Sequence, residues 1–192
     1  PKKIFHVAVM PCTAKKFEAG REEHRTPWGV PYTDAVVTTR EFIWMAKCLG
    51  IDYKRLPDGE FDSPLGASSG AADIFGATGG VMESALRSVI ELVCGIKVED
   101  LFEHADIVPV RGFEGIRFLE LPIKNVGPVP DLLKNRVDDW SWLEGVTLKV
   151  AVAHGTANAK KVMDDIKAGG RFAECHFIEF MACPGGCLGG GG

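Results

Sequence analysis

Short apolar runs and amphipathic stretches alternate along the chain. Ile4 to Met10 (IFHVAVM) is mostly apolar and reads as a buried strand that feeds directly into Pro11-Cys12. Residues 13–33 are polar with Gly and Pro, which predicts a loop or a short helical stretch plus loop. Thr38 and Glu41 have capping-box spacing. Phe42, Ile43, Met45, Ala46 and Leu49 then recur at helical spacing, and Gly50 ends that helix. Residues 56–80 are rich in loop formers, among them Pro57, Asp58-Gly59 and Pro64; so long a loop in a compact chain usually carries function. Val81 to Val93 (VMESALRSVIELV) has a wide apolar helical face closed by Gly95. Residues 106–123 predict two strands around an Arg-Gly-Phe-Glu-Gly bend, and 124–145 a polar, Trp-containing insertion. Leu148 to Ala153 is a second buried strand, followed by His154-Gly-Thr-Ala-Asn158 and a helix over about 159–168. His176 to Ala182 (HFIEFMA) is a strand entering Cys183. The alternation predicts α/β layers, and no solenoid repeat is visible.

Composition narrows the class. The chain has 192 residues, 46% hydrophobic and 25% charged, which suits one domain or two small lobes sharing a core. A net charge of −4 argues against a general nucleic-acid surface. No apolar run approaches the roughly 18 residues of a membrane span, and no signal peptide is visible. The chain begins at Pro1 and closes on four glycines, so it reads as an excerpt from a longer polypeptide. Its six cysteines (Cys12, Cys48, Cys94, Cys175, Cys183 and Cys187) lack the spacing of a small disulfide scaffold. They point to a reduced protein with a metal or catalytic thiol site. That favours the cytoplasm, with the periplasm as the alternative.

Two strand ends concentrate the chemistry. One ends in Met10-Pro11-Cys12, the other in Met181-Ala182-Cys183-Pro184. In open α/β sheets this edge is where ligands gather. Residues two apart on a strand point the same way, so each Met shares its Cys's direction. Cys183-Pro-Gly-Gly-Cys187 is flexible enough to wrap a cluster and aim backbone N–H groups at its sulfurs. Thiolates select soft metals and iron–sulfur clusters. A cubane needs four thiolates; Cys12 is a third candidate, and a structural zinc site is the plainer alternative. Cys48 and Cys94 lie on expected helices and read as small buried hydrophobes, while Cys175 precedes a strand. Spacing alone makes Met10 and Met181 core residues, and Lys15 and Lys16 surface cations unless one turns inward toward anionic charge. Gly76-Ala-Thr-Gly-Gly80 opens a helix and offers a weak anion cradle. The histidines show no metal spacing.

"MPCTAKKFE" (Met10–Glu18) and "FMACPGGCLGGGG" (Phe180–Gly192) resemble the second and third signatures of the catalytic domain of [FeFe]-hydrogenases. "IFGATGGVMESALR" (Ile74–Arg87), "TTRE" and "LPDGEFDSPLG" resemble the intervening family segments. The resemblance spans nearly the whole chain except about 124–145. It implies a two-lobed H-cluster domain with parallel or mixed sheets flanked by helices. It also implies reversible interconversion of dihydrogen with protons and electrons. The implied cofactor is a [4Fe–4S] cubane bridged to a diiron subsite carrying CO, cyanide and a dithiolate. By matching position, Cys12, Cys183 and Cys187 are implied cubane ligands, with Cys187 also bridging to the diiron unit. Lys15 is implied to hydrogen-bond a cyanide, Met10 and Met181 to line the subsite, and Pro11 and Phe75 to stand nearby. Ferredoxin or another redox partner, and hydrogenase maturation proteins, are the implied partners. The family's first signature, Thr-Ser-Cys-Cys-Pro, is absent and is expected N-terminal to Pro1, so the slice alone is expected not to hold an active cluster. Relatives that serve cluster assembly, and hydrogenases that sense hydrogen, are the alternatives.

Overall fold

In a computed structural model, residues 4–63, 70–96 and 115–192 are described. They form two compact units. One contains residues 4–63 and 188–192, the other 70–96 and 115–187.

The first unit is built on two parallel strands, β1 (Val7–Met10) and β2 (Ala35–Thr38), paired from Val7 opposite Ala35 to Met10 opposite Thr38. Helix α1 (Ala14–Ala19) follows Cys12, and α2 (Thr39–Cys48) follows β2 directly. The expected capping box is present: the Thr38 hydroxyl accepts from Glu41 N–H at 3.2 Å, and the Glu41 carboxylate accepts from Thr38 N–H at 2.8 Å. Two of the expectations for this unit need correction. β1 is not a buried strand, because Val7 and Val9 are 44% and 47% exposed. A two-stranded sheet with α1 and α2 packed on it leaves alternate side chains uncovered. Cys48, the last residue of α2, is exposed, not a buried hydrophobe.

The second unit holds the core. Its sheet has the order β3 (Ile116–Pro122), β4 (Thr147–His154), β5 (Phe177–Met181). β3 runs antiparallel to β4, and β5 parallel to it. Helices α3 (Ala71–Ile74) and α4 (Gly80–Cys94) precede the sheet, and α5 (Thr156–Lys167) connects β4 to β5. Met82 and Leu86 of α4 pack against Leu119 and Leu121 of β3 and Val150 and Val152 of β4. The period of two on the strands meets the period near four on the helix. Truncating one of these Met or Leu side chains to Ala costs about 2–5 kcal/mol. α4 ends where Gly95 takes φ 66° and returns its N–H to Glu91 O, as its glycine predicts. The expected bend before β3 lies outside the described residues as far as 114. Residues 124–145 fold around Trp140 and Val129, which join Ile123 and Val93 in a second apolar cluster.

Candidate functional site

The cysteine turn is set at the ends of two parallel strands. His154 closes β4 and stands opposite Met181, which closes β5. Gly155 N–H donates to Met181 O at 2.9 Å and ties the two ends together. Met181 is buried, and the chain then turns through Cys183 to Cys187. Gly186 N–H donates to Cys183 O at 3.0 Å and closes the turn. Gly185 is bonded on both sides: its N–H donates to His154 Nδ1 at 2.9 Å, and its carbonyl accepts from Thr78 N–H at 3.0 Å. Gly185 and Gly186 have φ of 76° and 101°, a region that L side chains avoid. A Cβ on Gly186 would lie 2.4 Å from Thr78 N and 2.7 Å from Gly76 O, so the turn and the 76–79 segment are in backbone-to-backbone contact. Both cysteines are half-buried. The turn's two glycine N–H groups, expected to face a sulfur, are instead spent on His154 and on Cys183 O.

Glu179 explains why the 76–79 segment lies there. It is 6% exposed on β5, and its carboxylate accepts from Gly79 N–H at 2.6 Å and Met82 N–H at 2.8 Å. Those are among the unpaired donors at the start of α4, where a negative charge is favoured. The anion cradle read in Gly76–Gly80 is therefore already filled by a carboxylate of the same chain. Phe75, 45% exposed, lies immediately before this segment and in the same unit as the thiol turn.

The first unit carries the other predicted residues. Met10 and Lys15 line one cavity of about 190 Å³ together with Glu18, His24 and Val36. Lys15 Nζ pairs with a Glu18 oxygen at 2.5 Å, and His24 Nε2 stands 3.9 Å from the other. The hydrogen bond from Lys15 holds the Glu18 carboxyl below its ordinary range. Lys16 is engaged elsewhere, on Glu41 at 2.7 Å and on Val36 O at 3.1 Å. Cys12 is free and half-buried beside Pro11. A Cβ on Gly192 would lie 3.0 Å from Cys12 N, so Gly192 lies close against the Cys12 backbone.

Met10 and Lys15 thus share one cavity in the first unit, while Phe75, Met181, Cys183 and Cys187 belong to the second. Among the described residues, no group of three His, Cys, Asp or Glu side chains is gathered as a metal cage. The structure adds Glu179, His154 and Thr78 around the turn, and Glu18 and His24 beside Lys15. Glu179 had a signal in the sequence: a carboxylate in phase with Met181 on an apolar strand.

The family model "Iron only hydrogenase large subunit, C-terminal domain" matches residues 1–191. The chain is similar to the periplasmic [Fe] hydrogenase large subunit of Nitratidesulfovibrio vulgaris, 45% identical over 192 residues, covering 100% of this chain and 39% of that protein. It is also similar to the cytosolic iron-sulfur assembly component 3 of Mus musculus, 30% identical, covering 100% of this chain and 36% of that protein. A solved structure of the [FeFe]-hydrogenase from Chlamydomonas reinhardtii superposes with a TM-score of 0.67 at 40% identity, covering 100% of this chain and 49% of that one. The chain therefore spans less than half the length of each of these relatives.

Proposed function

Because the chain belongs to the family of iron-only hydrogenase large subunits, within their C-terminal domain, we propose that it forms part of a catalytic domain for the reversible oxidation of dihydrogen to protons and electrons. In this reading residues 124–145 are an insertion in that domain. The match over residues 1–191 carries the proposal.

The residues present fit an H-cluster by their chemistry. Cys12, Cys183 and Cys187 are soft donors, all three half-buried. Thr78 Oγ1, beside the thiol turn, is buried without a hydrogen-bond partner. Cys12 and Cys183 would hold the [4Fe–4S] cubane, and Cys187 would join it to the diiron subsite with its CO, cyanide and dithiolate ligands. When bound, that group supplies the metal centre for hydrogen chemistry and the route for electrons. The chain's own residues supply placement and surroundings. Lys15 offers a charge-assisted hydrogen bond to an anionic ligand, shared with its bond to Glu18. Met10 and Met181 are apolar side chains that exclude water, and Pro11 and Phe75 are their neighbours in the reading.

Dihydrogen and protons are then the substrates, and ferredoxin or another redox protein exchanges the electrons. Maturation proteins supply the diiron unit. Among the described residues no helix is long and apolar enough to cross a membrane. Cysteine usage favours the cytoplasm, and the periplasmic relative keeps export as the alternative. The test uses the full-length polypeptide, matured with the diiron cofactor. Infrared bands of CO and cyanide together with hydrogen evolution are expected. Zinc without iron in the purified protein, or a cubane with neither infrared bands nor turnover, overturns the proposal.

A further inference from the structure

We propose that His154 is a positioning residue for the cysteine turn: its Nδ1 holds the Gly185 N–H, and that bond sets the direction in which Cys183 and Cys187 present their thiolates. The inference rests on the cubane reading of those two cysteines.

His154 is well placed to act as a fixed post. It is 7% exposed and occupies the last position of β4. Its N–H donates to Gly115 O at 3.1 Å, and its carbonyl accepts from Asn158 Nδ2 at 2.9 Å. Its main chain is therefore bonded on both sides, and the ring projects from a rigid strand end.

The turn, in contrast, has little intrinsic rigidity. Gly185 and Gly186 have the widest conformational freedom of any residue type. Gly185 is the midpoint, two residues from each thiol. The contacts that fix it are the His154 ring at 2.9 Å on its N–H and Thr78 N–H at 3.0 Å on its carbonyl. Releasing the first lets the peptide before Gly185 rotate, and both thiol directions rotate with it. Outer hydrogen bonds of this kind tune how firmly a metal is held.

The two ring nitrogens of His154 are chemically distinct. Gly185 N–H is a donor, so Nδ1 presents its lone pair and the neutral ring carries its proton on Nε2. An Asn side chain places its amide oxygen close to the position of Nδ1. A Gln oxygen reaches instead to the position of Nε2, and Ala offers no acceptor. The series Asn, Gln, Ala therefore separates the acceptor at Nδ1 from mere bulk.

The experiment uses the full-length protein reconstituted with iron and sulfide. It reads iron release to a chelator and the paramagnetic resonance spectrum of the reduced cubane. Near-ultraviolet circular dichroism checks folding. His154→Ala and His154→Gln are expected to release iron about ten- to hundredfold faster and to shift the cubane spectrum. His154→Asn is expected to stay within about twofold of the parent, with its spectrum. If His154→Ala does not fold, the contrast between Asn and Gln carries the test. The proposal is overturned if His154→Ala matches the parent, or if folded His154→Asn loses iron as fast as His154→Gln. Failure of the parent protein to take up iron shows in that arm alone, and removes the cubane reading together with this inference.

Discussion

Replacing Gly186 by Ala tests whether the thiol turn is held by backbone contact. Gly186 has φ of 101°, outside the narrow left-handed well that L residues tolerate. Entering that region costs an L residue about 1–2 kcal/mol. The added Cβ would also lie 2.4 Å from Thr78 N, 2.7 Å from Gly76 O and 2.8 Å from Ala77 C. All three are backbone atoms, so no side-chain rotation relieves the overlap. Forcing a methyl group into such a contact adds about 1–3 kcal/mol. The expected total is about 2–5 kcal/mol. Gly145→Ala provides the control, because Gly145 has φ of 79° with nothing within 4 Å of its Cβ position. It carries the backbone term alone, about 1–2 kcal/mol. Urea unfolding of the full-length apo-protein measures both, and iron uptake on reconstitution measures the consequence. Gly186→Ala should also push Thr78 away from Gly185 and so weaken iron uptake, whereas Gly145→Ala should leave uptake intact. If the two variants lose equal stability and take up equal iron, the close packing of the turn on residues 76–79 is refuted.

Further expectations follow from the same contacts. Glu179→Ala leaves the Gly79 and Met82 N–H groups buried without their acceptor and should cost about 2–4 kcal/mol, with Glu179→Gln restoring part of it; amide exchange at Gly79 and Met82 should accelerate, and unchanged exchange would refute the cap. Trp140→Ala removes a 7% exposed ring whose Nε1–H donates to Gly127 O at 2.7 Å, and should cost about 3–5 kcal/mol in urea unfolding. Lys15→Ala should let the Glu18 carboxyl rise toward its ordinary value of 4.5, read by an NMR titration. The Glu18 pKa is lowered by folding, so the pair contributes above the unfolded value and its contribution is lost as pH falls below 4.5 through the folded one. Under the proposed function the same variant of the matured full-length protein should lose hydrogen turnover, and parental turnover would remove Lys15 from the proposed site.

What could be read along the chain was local, and what could not depends on register. The Thr38–Glu41 box is a three-residue signal and stands in the structure as its spacing predicts. Gly95 ends α4 because its left-handed φ is a property of one residue. The two Met-x-Cys strand ends were visible for the same reason. β1 misled because an apolar run specifies a strand but not the layers that cover it. Helix α5 begins at Thr156, earlier than its apolar pattern, because Asn158 turns back to His154 O and Gly155 supplies φ of 81° at the junction. The carboxylate that organises the thiol turn lies 100 residues from the Gly79 N–H it receives. No window of sequence contains both, and only the β4–β5 pairing places Glu179 against the start of α4. His154 is hidden in the same way, since its partner Gly185 is 31 residues away on the next strand's extension. Glycines in the turn say that the backbone can approach something closely. They do not say that the something is Thr78 of the same chain. The cysteines of this turn were therefore legible as candidate ligands by type and spacing, whereas the groups bonded to the turn became visible only once parallel strands brought His154 and Met181 side by side.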